Sequence, residues 1–334
     1  MDGMRKTLIA TLLVLAAALP PPVATADGLP IPVEDTGPTG IADPGGVYRY
    51  VSLDLGGETL VERTVQNGGA VSKTRILPGD YTIPAVGIDG SASGLSGDGE
   101  TLVLIRPRTS YPRRSTEFVV LDTAGLRVRD RIALGGDFSF DAISPDGRAM
   151  YLIHYTSPRD YTHYEVRRYD LDRGRLVPGA ITDPEEKPGE MFGLPISRQT
   201  SPSGRWAYTL YMGNDHPFVH ALDTQRAAAV CIDLHPLEHV RDLSALGLET
   251  GPGPATLTVT RRGEPAALID TESFEVSEPL AASESTPPPD DGSSVAIWAL
   301  AAGALAAGAA LWLASRRRGR DNGWPRWLTK PRPR

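Results

Sequence analysis

LSGDGETLVLIR (residues 95–106), ISPDGRAMYLIH (143–154) and TSPSGRWAYTLY (200–211) repeat one pattern: a small polar turn closed by Gly99, Gly147 or Gly204, then a run of apolar, β-prone residues. Glycine supplies the positive φ that a tight turn requires, and apolar or alternating runs of this length are strand signals. TGPGPATLTVTR (250–261), around Gly253, is a weaker copy. Downstream of each of these glycines comes an apolar residue followed by Asp, at Asp122, Asp172, Asp223 and Asp270, a recurrence of about 50 residues. A near-constant period with several short strands in each repeat is the pattern of propeller blades. The expected fold class is therefore all-β, a β-propeller of about five blades over residues 47–276.

The Ser-Pro-Asp-Gly-Arg run from Ser144 to Arg148 and the Leu-Asp-Thr turn from Leu121 to Thr123 resemble the repeats of WD40-like and YVTN-type bacterial β-propellers. The resemblance covers roughly residues 47–280. It lacks that family's Trp-Asp and Gly-His dipeptides, and its Gly turns are unevenly spaced, the step from Gly147 to Gly204 being longer than that from Gly99 to Gly147. Thr182 to Leu194 is an extra piece that accounts for the longer interval and reads as a loop. The first segment, YRYVSLDLGGETLVERTV (48–65), aligns only through Asp54. A propeller is often a rigid binding platform, and the fold by itself does not decide function.

Outward from the repeats, the two ends carry different signals. Arg5 and Lys6, the apolar run Leu8 to Leu19 and the triplet Ala24, Thr25, Ala26 read as a signal peptide over residues 1–26; the run is too short to span a bilayer comfortably as an uncleaved anchor. Residues 27–46 are too rich in Pro and Gly to be expected to build an element, and 277–294 read as a Pro, Ser and acidic stalk. Val295 to Ala314 is a charge-free stretch long enough to cross a bilayer as a helix, flanked by Trp298 and Trp312 and followed by Arg316, Arg317, Arg318 and Arg320. It reads as one transmembrane helix with a basic cytoplasmic tail, 315–334. The expected location is the cell membrane, single-pass, with the N-terminal domain outside. Ala299, Gly303 and Ala307 would permit dimerisation through that helix.

The net charge of -7 conceals opposite parts: +7 after Ala314 and -15 over residues 27–293. An acidic domain disfavours nucleic acid as a ligand. Cys231, the single cysteine, sits in an apolar run and reads as a buried residue without a disulfide. Arg outnumbers Lys thirty to four, a bias that fits a GC-rich bacterial genome.

Two constellations stand out as candidate sites. His216 and His220 form HPFVH, and His235 and His239 form HPLEH. With Asp215 or Glu238 they would supply zinc or copper ligands. Against this, i and i+4 on a strand lie ~13 Å apart, too far for one ion, so two separate pairs of turn or surface histidines are the competing reading. Tyr151, Tyr155, Tyr161, Tyr164 and Tyr169 cluster with His154, His163, Arg159, Arg167 and Arg168. Tyr151 and Tyr169 read as strand packing. Tyr155, Arg159, Tyr161 and His163 read as a partner surface, because Tyr and Arg combine apolar area with polar ends.

The turn aspartates are expected to bond backbone N–H groups rather than calcium. No Gly-x-Ser-x-Gly elbow or phosphate loop is present, so no catalytic residue and no cofactor is expected. The expected function is a protein- or glycan-binding scaffold at the cell surface. The alternative is an exported hydrolase or metal-dependent enzyme using the His-rich region 216–239.

Overall fold

A computed structural model describes residues 29–30, 40–186, 191–213, 216–240, 242, 245–251, 253 and 255–279. Five antiparallel sheets follow one another along the chain. The first holds β1 (Ile41–Ala42), β2 (Tyr48–Asp54), β3 (Glu58–Val65) and β4 (Val71–Pro78). The second holds β5 (Thr101–Ile105), β6 (Ser115–Asp122) and β7 (Arg127–Gly135), and the third β8 (Phe138–Ile143), β9 (Ala149–Tyr155), β10 (His163–Asp170), β11 (Arg175–Leu176) and β12 (Met191–Phe192). In the fourth are β13 (Leu194–Thr200), β14 (Trp206–Met212), β15 (Pro217–Asp223) and β16 (Ala228–Asp233). The fifth comprises β17 (Leu246–Thr250), β18 (Thr256–Arg261), β19 (Glu264–Asp270) and β20 (Val276–Ser277). A short 3-10 turn spans His235–Leu237. This is an all-β chain whose sheets have the sequential order of propeller blades.

The apolar runs after each Gly turn are strands buried on both faces. In β5, Leu102 and Leu104 join a core with Tyr50, Val61 and Leu77 of the first sheet, while Val103 and Ile105 join one with Phe140, Met150 and Leu152 of the third. In β9, Tyr151 and Ile153 turn the other way, toward Tyr211 and Leu222 of the fourth sheet. Leu210 and Val219 then pack on Leu248, Val259 and Ile269 of the fifth. Side chains alternate along a strand, so a strand between two cores needs apolar residues at every position. Full burial of each such residue contributes about 1.5–3 kcal/mol.

The Gly turns share one hydrogen-bond scheme. Ser144 Oγ accepts from the Ala149 N–H at 3.0 Å, Ser96 Oγ from Thr101 and Ser201 Oγ from Trp206, each at the same offset along the chain. Asp43 does the same for Tyr48. The first blade therefore has its own Gly turn, Asp43 to Gly46, inside the segment read as unable to build an element. Pro44, Gly45 and Gly46 are that turn, and β1 before it pairs with β2. Asp54 closes the second strand, one hairpin earlier than the repeat pattern puts it. In the fifth sheet Gly251 stands at the Ser position and keeps only its backbone bond with Thr256, which makes it the weaker copy.

The Asp turns also hold, with one correction. Asp122, Asp223 and Asp270 accept backbone N–H bonds at their turns, and in the third sheet the residue that does so is Asp170, from Arg173 at 2.9 Å. Asp172 is exposed, 3.8 Å from Arg148. The Asp-Leu-Asp sequence offers two candidates, and the strand ends at the first. At Asp270 the N–H groups of Ser273 and Glu272 hold the carboxyl below its ordinary range.

Gly147, at φ 65°, shows how tightly the turns meet. A Cβ there would lie 2.8 Å from Thr101 Cβ on the neighbouring sheet. Gly147→Ala is expected to lower stability by about 2 kcal/mol, from the left-handed backbone and the clash together, read as a fall in the urea midpoint at constant slope.

The second sheet departs from its neighbours. Thr82 and Gly94 bond β5 as pieces of a first strand, but between them residues 84–93 leave as a hairpin closed by Val86 N–H to Ser91 O, 2.8 Å. The hairpin crosses to the fourth sheet, where Ile88 and Asp89 donate to Pro195 O and Ile196 O at 3.0 and 3.1 Å. Within Thr182 to Leu194, the stretch read as a loop, β12 adds an edge to β10, and Ile181 just before it bridges Val166 of the same strand. No helix among the described residues is long and apolar enough to cross a membrane; the segments read as signal peptide (1–26), transmembrane helix (295–314) and tail (315–334) lie outside them, as does the stalk beyond residue 279.

Candidate functional site: the hairpin end of the sheets

Strand direction sorts the loops into two ends. The Gly turns and the turns at Asp122, Asp170, Asp223 and Asp270 fall together at one end, and the hairpins between second and third strands, that of Asp54 among them, fall at the other. Two of these hairpins are long: 106–114, between β5 and β6, and 156–162, between β9 and β10. They pack on each other through Tyr111, whose ring meets Tyr155 and Tyr161 edge-on at 5.9 and 5.7 Å. The Tyr111 hydroxyl donates to Ser157 O. Arg108 lies 5.1 Å from the Tyr155 ring and is ion-paired with buried Asp137, which also takes the Arg113 N–H at 2.9 Å. Edge-on aromatic pairs each add about 0.5–1.5 kcal/mol beyond burial, so this platform is held rigid.

The four residues read as a partner surface lie in different environments. Tyr155 is buried, its hydroxyl 3.1 Å from Ser139 Oγ, and supports the platform from below. Tyr161 is half-buried against Tyr111, His163 packs on Phe192 at 4.0 Å and faces Asp160 at 3.3 Å, and Arg159 is exposed. Sequence reasoning missed the partner hairpin. RPRTSYPRR (106–114) holds four arginines and no acid within an acidic domain, and that local reversal of sign was the available signal. Arg106 pairs with Glu117 at 3.1 Å, and Arg114 is exposed.

The four histidines are not gathered. His216 and His235 approach to 6.2 Å between ring centroids, each with its own carboxylate: Asp233 at 2.9 Å and Glu238 at 2.8 Å. His220 lies inside β15, buried between sheets, and His239 is exposed. His216 stands just before β15 and His220 within it, and at the rise of an extended chain four residues span about 13 Å. Among the described residues no group of three or more His, Cys, Asp or Glu is placed to hold a metal ion; Asp215 lies outside them. Cys231 is half-buried, and its desolvation with nearby Asp183 pushes its thiol up to about 12, which keeps it in the weakly reactive thiol form.

At the turn end, an opening of about 320 Å³ is lined by residues from the first four sheets, among them Ala42, Ser96, Ala142 and Ser201, with no titratable side chain. Beside it, about 400 Å³ is bordered by Arg148, Arg168 and Arg173 against Asp146, Asp170 and Asp172, so its charges balance.

Between the third and fourth sheets lies a buried polar set. Arg198 on β13 donates to Asp141 on β8, the two side chains only 3% and 2% exposed. His220 and the stacked pair Tyr164 and Tyr211 surround them. Asp141 Oδ2, Arg198 Nε and Nη1 and His220 Nε2 have no protein partner, and Tyr164 Oη, close to Tyr211, lies outside ordinary hydrogen-bond geometry. Each such group left unmade costs about 1–3 kcal/mol.

No family model matches the chain, and no curated protein matches it. Among solved structures it is similar to TolB from Acinetobacter baumannii (12% identity, 70% of this chain and 52% of that one, TM-score 0.40). It is also similar to the Cps50 (Swd1) β-propeller domain of Myceliophteria thermophila (8%, 68% and 64%, 0.41) and to a functionally unknown protein from Desulfotomaculum acetoxidans (14%, 72% and 68%, 0.44). The chain spans about half the length of the TolB chain and just under two thirds of the Cps50 domain. At identities this low, nothing about ligand or activity passes from them to this chain.

Proposed function

We propose that the chain is a membrane-anchored binding module that captures a protein with an acidic surface on the hairpin end of its second and third sheets. The supporting observation is the platform of Tyr111, Tyr155 and Tyr161, which fixes two hairpins that expose Arg114 and Arg159. Tyr and Arg dominate binding energy at interfaces, and a fixed backbone lowers the ordering cost of association. The apolar stretch 295–314 would hold the domain at the membrane, with the N-terminal side outside and the small residues Ala299, Gly303 and Ala307 available for pairing. A hydrolase or metal enzyme at residues 216–239 is favoured by no grouping among the described residues.

Crosslinking in native membranes, followed by purification of the full chain, tests the proposal. Arg114→Ala with Arg159→Ala is expected to weaken capture at least about 10-fold, the scale of interface arginines, and more at low salt. Capture unchanged in the double variant, or binding of glycans alone, would refute it.

A further inference from the structure

We propose that Asp141, Arg198, His220 and Tyr164 enclose a cluster of buried water molecules that bridges the third and fourth sheets. The four residues come from β8, β13, β15 and β10, and all are buried. Their unmatched atoms point to one kind of ligand. Arg198 Nε and Nη1 can only donate, and ionised Asp141 Oδ2 can only accept. The occupant must therefore do both. Charge narrows it further: Asp141 and Arg198 neutralise each other, so an anion would meet the free carboxylate oxygen and a cation the guanidinium. Water meets both demands, and a buried molecule held by two to four polar partners is the ordinary case.

The backbone is irregular on both sides of the pair. Asp141 is the extra residue of a bulge in β8, between Phe140 and Ala142 in the register with β9. β13 is bulged too, between Pro195 and Ser197 in its register with β14. Bulges re-aim side chains and locally part strands. Here the bulge of β8 falls at Asp141 itself, and that of β13 two residues before Arg198. The stacked rings of Tyr164 and Tyr211, 5.3 Å apart and both buried, pack beside the cluster, and waters buried among such groups exchange through local opening.

A crystal structure of the full chain, at a resolution that places ordered solvent, is the direct test. Density for about two or more waters touching Asp141 Oδ2, Arg198 Nε or Nη1 and His220 Nε2 is expected. Those atoms paired directly with protein, or density for an organic molecule, would overturn the proposal. In solution, oxygen-17 relaxation dispersion counts long-lived internal waters. The volume-matched double variant Asp141→Leu/Arg198→Met is expected to lose the cluster's contribution; an unchanged count would overturn the proposal equally.

Discussion

Asp141→Ala is expected to lower stability by about 3–5 kcal/mol, because it strands the Arg198 guanidinium in the gap between two sheets. The contribution of the intact pair is much smaller than that figure. Burying two charges already costs several kcal/mol per ion, and their attraction does little more than offset it. The double variant Asp141→Leu/Arg198→Met should therefore recover most of the loss, even though it removes both partners. Urea unfolding of the two variants beside the parent chain separates the terms. A single variant costing under about 1 kcal/mol would mean that solvent reaches Arg198 freely, contrary to its burial.

Acid should unfold the chain through His220. Burial lowers its pKa from 6.5 to about 4. Above pH 6.5 the ring is neutral folded and unfolded, and stability is at its plateau. As pH falls below 6.5 the unfolded chain takes up a proton that the folded chain refuses, so stability declines until the folded ring also protonates near pH 4. A lowering from 6.5 to about 4 corresponds to roughly 3 kcal/mol lost across that window. His220→Gln should flatten the profile between pH 6.5 and 4. His154, half-buried on β9 and lowered by burial in the same sense, leaves a smaller residual slope. The turn carboxylates Asp122, Asp170 and Asp270, held low by hydrogen bonds, lose their contribution only at more acid pH.

The repeat was legible because its parts are local. A Ser or Asp bonding a short way ahead, a glycine at positive φ and a two-sided apolar strand all lie within one brief stretch of chain. The first copy escaped because Asp43 replaces Ser and Pro44-Gly45-Gly46 reads as a linker. Asp172 and Asp170 both fit an apolar-Asp pattern, and only the register decides which of them ends the strand. The site is different in kind. Arg108, Tyr111 and Tyr161 meet across two sheets, which no spacing in sequence encodes. Asp141 and Arg198 did leave a trace, a charge inside each of two otherwise buried first strands. His216 and His235, from the two separate His-Pro copies, do come together, but His220 follows the alternation of β15 into the core.

The hairpin 84–93 ties the second sheet to the fourth across the third. Chains of repeats that touch only their neighbours can melt or form one unit at a time. Here the fourth sheet cannot detach while Ile88 and Asp89 hold Pro195 and Ile196, which follow only after the whole third sheet has passed. The hairpin therefore couples the sheets into a shared transition and makes late, long-range loop closure a requirement for folding. A protein built from successive similar sheets is thereby given the unfolding cooperativity, and the slower folding, of a single indivisible unit.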